Sequence, residues 1–550
     1  MKKLKVLFMP IDGTGHVNAS IALAQVLIKA GHECTFGICD QWRGKLEPYR
    51  IREILWSMND RQNADESAAK YWGLYLKEKG ILGPVSPLEK AVIILKEQKS
   101  VNKTQQEIDD KVEQTISQVR PDIIILDQMS SLIVKKSGIP WVLVCSCNPL
   151  TSIRDDRTPP AFSGLPTTGP ISEWQTFNRV YNENIQETWQ VFNDIEVANG
   201  FPKLKENSLI SESKYLNIYG YPLELDYLDI RPLPDNWYRF DNFMRSEQHL
   251  PFEIPEQLLD KPGKLIYFSL GSMGGTDVDN MKRLVGILAK SKHRFIVSKG
   301  PLDDEYDLPD NMWGEISVPQ INVLPLVDLV ITHGGNNTIT ETFSCGKPMI
   351  VMPLFGDQYD NAQRVHEKGF GIRLDAYKCS EEELLTTIES LVNDNILSEK
   401  LKKISQRIRT ENSLTKLPEI FENLVQTYAI AQVLIKAGHE CTFGICDQWR
   451  GKLEPYGIRE ILWSMNDREN ADQSTAKYWG LYLKEKGILG PEGPLEKAVI
   501  MLKDQKNIVE MHRKINQKVE QTICQLKPDI ILVDQMASLV SVMKSGVVGT

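Results

Sequence analysis

Short apolar runs, several of them closed by a glycine-bearing turn and followed by a stretch with apolar positions three and four apart, recur along the first 428 residues. The pattern predicts strands at 3–9, 33–39 and 122–126, a helix at 18–29 stopped by Gly31, and long amphipathic stretches between, 87–119 among them. Continuous apolar strands joined by crossover helices make a parallel sheet. Around 240–264 the pattern lapses into Gln248-His249-Leu250-Pro251 and Pro262-Gly263-Lys264, as a linker does. A second series follows, with strands at 265–269, 294–298, 329–332 and 349–353 and helices at 279–290 and 337–344. The expected fold is α/β: two Rossmann-like, doubly wound domains, 1–240 and 264–428, joined by a linker at 241–263 and facing a cleft. Such sheets bind ligands at the carboxyl ends of their strands.

The rest of the chain repeats its own beginning. Ala22–Gly83 returns 407 positions later, from Ala429, with five differences: Leu23/Ile430, Arg50/Gly457, Gln62/Glu469, Glu66/Gln473 and Ala68/Thr475. Weaker similarity continues to Asp127-Gln128-Met129, which recurs as Asp534-Gln535-Met536. The period is far beyond that of a solenoid. Segment 429–550 therefore reads as an incomplete α/β repeat, a truncated copy of 22–142 without the first strand, its glycine loop or anything from the second domain. The junction at 420–429 has no Gly, Pro or Ser spacer and reads as helix running into helix. No activity of its own is expected from the copy.

Composition narrows the partners. The chain is 41% hydrophobic and 25% charged, with 64 basic against 73 acidic side chains and a formal charge of -9, which offers no basic field to nucleic acid or an anionic membrane. No apolar run is long enough to span a bilayer, and the N-terminal run is too short for a secretory leader. Nine cysteines without a Cys-x-x-Cys pair fit reduced thiols in a cytoplasmic protein, and no metal site is expected.

The candidate chemistry lies at strand ends. Gly13-Thr14-Gly15 follows the first strand and Asp40 closes the second, a partial dinucleotide fingerprint whose third glycine is replaced by Asn18. That leaves a nicotinamide-dependent oxidoreductase as one alternative. His16 at a helix start suits a general base, its charged form disfavoured by the helix's positive end. Asp127, ending a strand, can orient it. In the second half, Thr332-His333-Gly334-Gly335-Asn336-Asn337-Thr338 is a strand, a glycine turn and a helix start, whose N–H groups suit phosphate oxygens. Glu341 lies one turn on, within reach of a ribose diol. Asp357-Gln358 supplies an acceptor and a donor for sugar hydroxyls. Asp277-Val278-Asp279 is expected to cap a helix rather than bind metal.

Val318-Pro319-Gln320, Thr332–Thr338, Glu341, Gly346-Lys347-Pro348, Pro353 and Asp357-Gln358, in this order, resemble the nucleotide-sugar signature of the UDP-glycosyltransferases of the GT-B fold, most closely the soluble macrolide-glycosyltransferase type. The resemblance spans 1–428. It implies that His16 deprotonates the acceptor with Asp127 as partner, and that Gly271, Ser272 and His333 contact the diphosphate, with Gly335, Asn337 and Thr338 beside it. Gln320 and Glu341 would hold the ribose, and Asp357 and Gln358 the hexose, where Gln358 favours glucose. Ser317 stands where plant relatives carry a tryptophan platform for uracil, so the base falls to the Val318 backbone or a ring such as Trp313. The implied function is inverting, metal-independent transfer of a hexose from a UDP-sugar to a hydroxyl of a small lipophilic acceptor, as in detoxification, with no cofactor beyond the co-substrate. A non-catalytic sugar-nucleotide binder, or a fusion product disabled by its appendage, is the remaining alternative. Trp56, Trp72, Phe162 and Trp189 are candidate acceptor lining.

Overall fold

A computed structural model describes residues 3–57, 68–98, 102–128, 131–436, 442–446, 459–463, 530–531 and 548–549. Met1–Val425 is one compact unit and Gln426–Thr550 a second.

The first unit holds two parallel sheets. Seven strands, β1 (Lys5–Met9), β2 (Glu33–Cys39), β3 (Arg52–Trp56), β4 (Ile123–Asp127), β5 (Trp141–Cys145), β6 (Leu216–Gly220) and β7 (Trp237–Phe240), lie in the order β3-β2-β1-β4-β5-β6-β7. Six more, β8 (Leu265–Ser269), β9 (Arg294–Ser298), β10 (Met312–Glu315), β11 (Leu329–Thr332), β12 (Met349–Val351) and β13 (Gly371–Arg373), lie in the order β10-β9-β8-β11-β12-β13. Two doubly wound sheets were expected, and two are present. The strand order reverses between β1 and β4 in the first and between β8 and β11 in the second. A crevice opens at such points because consecutive crossovers leave to opposite sides.

The central strands β1 and β4 are largely apolar because both faces are covered. Val6 and Phe8 pack into one cluster while Leu7 and Met9 pack into another, and Ile123/Ile125 and Ile124/Leu126 divide the same way. That is the period of two of a pleated strand with no solvent face. The helix Leu417–Lys436 crosses back to the first sheet, where Leu417, Phe421 and Val425 join the Val6/Phe8 cluster. Glu422 lies 3.2 Å from His32 Nε2, and His32 Nδ1 accepts the Leu4 N–H.

Several boundaries differ from the expected ones. The first helix runs Thr14–Lys29, so it starts four residues before the expected Asn18, Gly13 is its N-cap and His16 stands in its first turn. A helix's first N–H groups need no intrahelical partner, so glycine costs little there and the glycine-rich start does not delay the helix. The stretch 87–119 contains two helices, Pro87–Gln98 and Asn102–Val119. Strands β3, β5, β6, β7, β10 and β13 were not singled out; several are short or carry polar residues, which hides their periodicity.

Most of the repeat lies outside the described residues, including Asp534. Within it, Thr442–Cys446 pairs in parallel with Arg459–Trp463, and Ile530–Ile531 with Val548–Gly549. The helix Leu417–Lys436 is continuous across the junction, as the absence of a spacer implied.

Candidate active site

The two switch points supply the site. β1 ends just before the helix Thr14–Lys29, and β4 ends in Asp127. This brings His16 Nδ1 to 2.8 Å from Asp127 Oδ2, across 111 residues of sequence. Gln128 follows with φ of 51°, a left-handed turn that a residue with a side chain adopts at some cost, and strain of this kind collects at functional sites. Asp127 is buried and His16 half-buried. Burial alone would lower the histidine's pKa, but the charge and hydrogen bond of Asp127, with a further contribution from Asp357, outweigh it and raise the pKa above its ordinary value. The helix-start argument therefore pointed the wrong way: a carboxylate in contact outweighs partial charges spread over a helix end.

A third group, which sequence reasoning missed, completes this cluster. Ser146 Oγ lies 2.8 Å from His16 Nδ1 and donates to the Asp127 carboxylate, 2.9 and 2.8 Å from its two oxygens. A buried serine one position past β5 carries no signal of its own.

In the second domain the His333 ring sits between two backbone turns. A β-carbon on Gly271, which has φ of 76°, would lie 2.7 Å from the ring, and one on Gly335 would lie 2.6 Å from Nε2. Neither position admits a side chain without displacing the imidazole. Burial pushes the His333 pKa down to about 4, against a backbone hydrogen bond with Ser269, so the ring is neutral near pH 7. A neutral imidazole has a single N–H, which it can give to the Ser269 carbonyl or, by turning that bond over, to an anion beside the helix start at Asn336.

The residues expected at the ribose are already bound to one another. Glu341 is buried, with one carboxylate oxygen 3.1 Å from Arg245 Nη1 and the other accepting from the Gln320 amide. Gln320 Nε2 also lies 3.2 Å from Thr338 Oγ1, and the Tyr267 hydroxyl donates to Gln320 Oε1. Burial raises the Glu341 pKa, and Arg245 opposes that. Arg245, from the linker, and Tyr267, from β8, were not foreseen. An arginine in a segment without periodicity looks solvated until its partner is known. Val318 is buried, whereas Trp313 is half-buried and tilts against Phe252 at 5.8 Å between ring centres.

Groups from both domains meet. Asn337 Nδ2 donates to the Gly15 carbonyl at 2.7 Å, so the two helix starts are bonded to each other. Ser272 and Met273 share a cavity with Asp12, Gly13 and Thr14. Asp357 Oδ2 accepts the Asn148 N–H at 2.8 Å. Gln358 is buried, its carbonyl holding the N–H groups of Leu354 and Phe355 at 2.9 and 3.1 Å, which leaves its NH₂ as the end available to a ligand.

The other candidates divide between core, surface and the edge of the cavity beside Ser272. Trp56 and Trp189 are core, and the Trp56 indole donates to Thr115. Trp72 is exposed and lines the cavity that Ser272 and Met273 share with Asp12, Gly13 and Thr14, whereas Phe162 stacks on Tyr181. Asp277 is the N-cap residue of Val278–Leu288, but its side chain makes no cap hydrogen bond; it pairs with Lys77 at 3.0 Å, which also holds Asp279. The lysine reaches in from the first domain, so an ammonium takes the carboxylate that a cap would use. Among the described residues no group of three or more His, Cys, Asp or Glu is placed to hold a metal ion. No described helix is long and apolar enough to cross a membrane.

Two Rossmann-like sheets with their switch points turned to one cleft define the GT-B class of glycosyltransferase folds. The solved glycotransferase of kitacinnamycin superposes with a TM-score of 0.56 at 17% identity, covering 77% of this chain and all of that one. The profile of the family "UDP-glucoronosyl and UDP-glucosyl transferase" matches residues 249–415. The NDP-glycosyltransferase YjiC of Bacillus subtilis is 23% identical over 439 residues, 78% of this chain and 100% of that protein. The sterol 3-beta-glucosyltransferase of Debaryomyces hansenii is 29% identical over 239 residues, 40% of this chain but only 15% of that protein's length. The family match over 249–415, these relatives and the fold together support a UDP-glycosyltransferase of GT-B type.

Proposed function

We propose that this chain transfers a hexose, glucose in the first instance, from a UDP-sugar to a hydroxyl of a small lipophilic acceptor with inversion at the anomeric carbon. The observation that carries the reading is the 2.8 Å contact of His16 with Asp127, in a helix start bonded through Gly15 to Asn337 of the donor-side helix. A base and a set of phosphate donors on opposite walls of one cleft are what in-line displacement needs. His16 takes the acceptor proton through Nε2, since the acceptor-only carboxylate of Asp127 keeps the proton on Nδ1. Attack comes from the side opposite the diphosphate, whose charge is taken up by neutral His333, Ser272, the Gly271 turn and the N–H groups at Gly335–Thr338. Gln320 and Glu341 receive the ribose by exchanging part of their mutual bonding for its hydroxyls, with Val318 against the base. Asp357 accepts from the hexose and the free NH₂ of Gln358 donates to it. The scheme places no metal.

Sterols head the acceptor panel, on the name of one relative, with macrolides beside them on the resemblance of the sequence. UDP release is followed with UDP-glucose and other UDP-sugars against that panel. Release that depends on acceptor and falls at least about a hundredfold in His16→Ala, with UDP affinity retained, supports the reading. Full turnover in His16→Ala would overturn it.

A further inference from the structure

The groups assigned to the base and those assigned to the hexose come from different domains, yet one three-residue segment touches both. Ser146, Cys147 and Asn148 leave the end of β5. At one end, buried Ser146 closes a triangle with His16 Nδ1 and both oxygens of Asp127, all at 2.8 to 2.9 Å. At the other, Asn148, with no exposed surface, gives its backbone N–H to Asp357 Oδ2 at 2.8 Å and its amide to Asn361 Oδ1 at 2.9 Å. The same amide reaches the hydroxyls of Tyr221 at 3.2 Å and Tyr227 at 3.4 Å, while Asn148 Oδ1 accepts the Leu150 N–H at 3.0 Å. Asn361 in turn donates to the Gly334 carbonyl at 2.9 Å, beside His333.

Resting on the proposed transferase reading, we propose that Ser146–Asn148 is a rigid spacer that sets the distance between base and sugar, with Ser146 and Asn148 as positioning residues. Two residues of backbone span at most about 7 Å, so fixing both ends leaves little freedom between them. In-line attack needs this constraint, because a misplacement of about 1 Å costs on the order of a hundredfold in rate. The spacer also carries charge coupling. The groups facing His16 are Asp127 from β4 and Asp357 from the second domain, and the Cys145 and Cys147 thiols beside them are pushed up by burial and stay uncharged near neutral pH. A shift of Asp357 therefore reaches His16 as a change in its proton affinity.

The test uses the full chain with Ser146→Ala, Asn148→Ala, the double variant and Ser146→Thr, which keeps the hydroxyl. First, His16 is titrated by NMR of ¹³C-labelled histidine. Asn148→Ala, which removes no contact to His16 or Asp127, is expected to move its pKa by about half a unit. Second, kcat is measured with UDP-glucose, with UDP affinity as the check on folding. Each single variant is expected to lose about tenfold, Ser146→Thr to recover most of it, and the double variant to lose at least threefold less than the product of the singles. An unmoved His16 pKa in Asn148→Ala, or single losses that multiply to within twofold, would overturn the spacer. If Asn148→Ala fails to bind UDP, Asn148→Ser, which can still accept the Leu150 N–H, takes its place. Absence of turnover in the unaltered chain would instead strike the transferase reading, and the titration would still decide on the spacer.

Discussion

Asn337 donates its side-chain amide to the carbonyl of Gly15 at 2.7 Å, joining residues 322 apart and placing the start of the donor-side helix against the residue before His16. Asn337→Ala removes the bond and leaves both helices intact. A hydrogen bond of this kind is worth about 1 kcal/mol, so kcat/KM for UDP-glucose is expected to fall about fivefold to tenfold. An unchanged kcat/KM would show that the contact does not set the geometry of the working enzyme.

Asp127 raises the His16 pKa, and that has a sign in the pH profile. A base works deprotonated, so the acid limb of kcat/KM is expected above the ordinary histidine value of about 6.5. Asp127→Asn removes the charge that holds the proton. It is expected to move the limb to lower pH while lowering kcat by about a hundredfold to ten-thousandfold, because the imidazole loses its orienting acceptor. A limb that moves to higher pH would contradict the assignment.

Gly271 tests the proposed diphosphate cradle. Its φ of 76° and the His333 ring 2.7 Å from a notional β-carbon make alanine doubly unfavourable there. Gly271→Ala is expected to cost about 1–3 kcal/mol in stability and to weaken UDP binding at least tenfold, read by calorimetry. Unaltered UDP affinity would remove His333 and the Gly271 turn from the donor site.

Arg245 compensates the buried Glu341 carboxylate. Arg245→Ala leaves that charge unpaired and is expected to destabilise the first unit by about 3–5 kcal/mol, seen as a lowered thermal midpoint. Adding Glu341→Gln to it is expected to recover much of the loss, since the amide removes the uncompensated charge. Equal midpoints for the single and double variants would show that the loss does not come from Glu341 but from packing and from buried Glu247, which Arg245 also holds at 2.7 Å.

The end of the first unit predicts the outcome of truncation. Leu414, Leu417, Phe421 and Val425 pack under the first sheet. A chain ending at residue 428 keeps them and is expected to turn over UDP-glucose within twofold of the full chain. One ending at residue 411 loses four buried apolar side chains, each worth about 1.5–3 kcal/mol, and is expected not to fold. Loss of turnover in a folded 1–428 chain would give the repeat a role.

How much was legible depended on separation along the chain. Strands such as 265–269 and 294–298, the junction helix and the order of the donor-side motif are local patterns, and each is present where the sequence placed it. The repeat is the clearest case. Thr442–Cys446 pairs with Arg459–Trp463 in the register that Thr35–Cys39 keeps with Arg52–Trp56, from the same two peptides. Contacts that depend on the fold were not legible. Ser146 reaches His16 across 130 residues, Asn148 reaches Asp357 across 209, and Arg245 reaches Glu341 across 96. Neither member of such a pair carries a periodicity or turn signal that names the other. The sequence by itself determined the two α/β series, the motifs at their strand ends and the truncated repeat, because hydrophobic period and turn residues act over a few positions. Only the tertiary structure decided which of those groups touch and which way His16 titrates, because burial and a neighbouring carboxylate exist only once distant strands lie side by side.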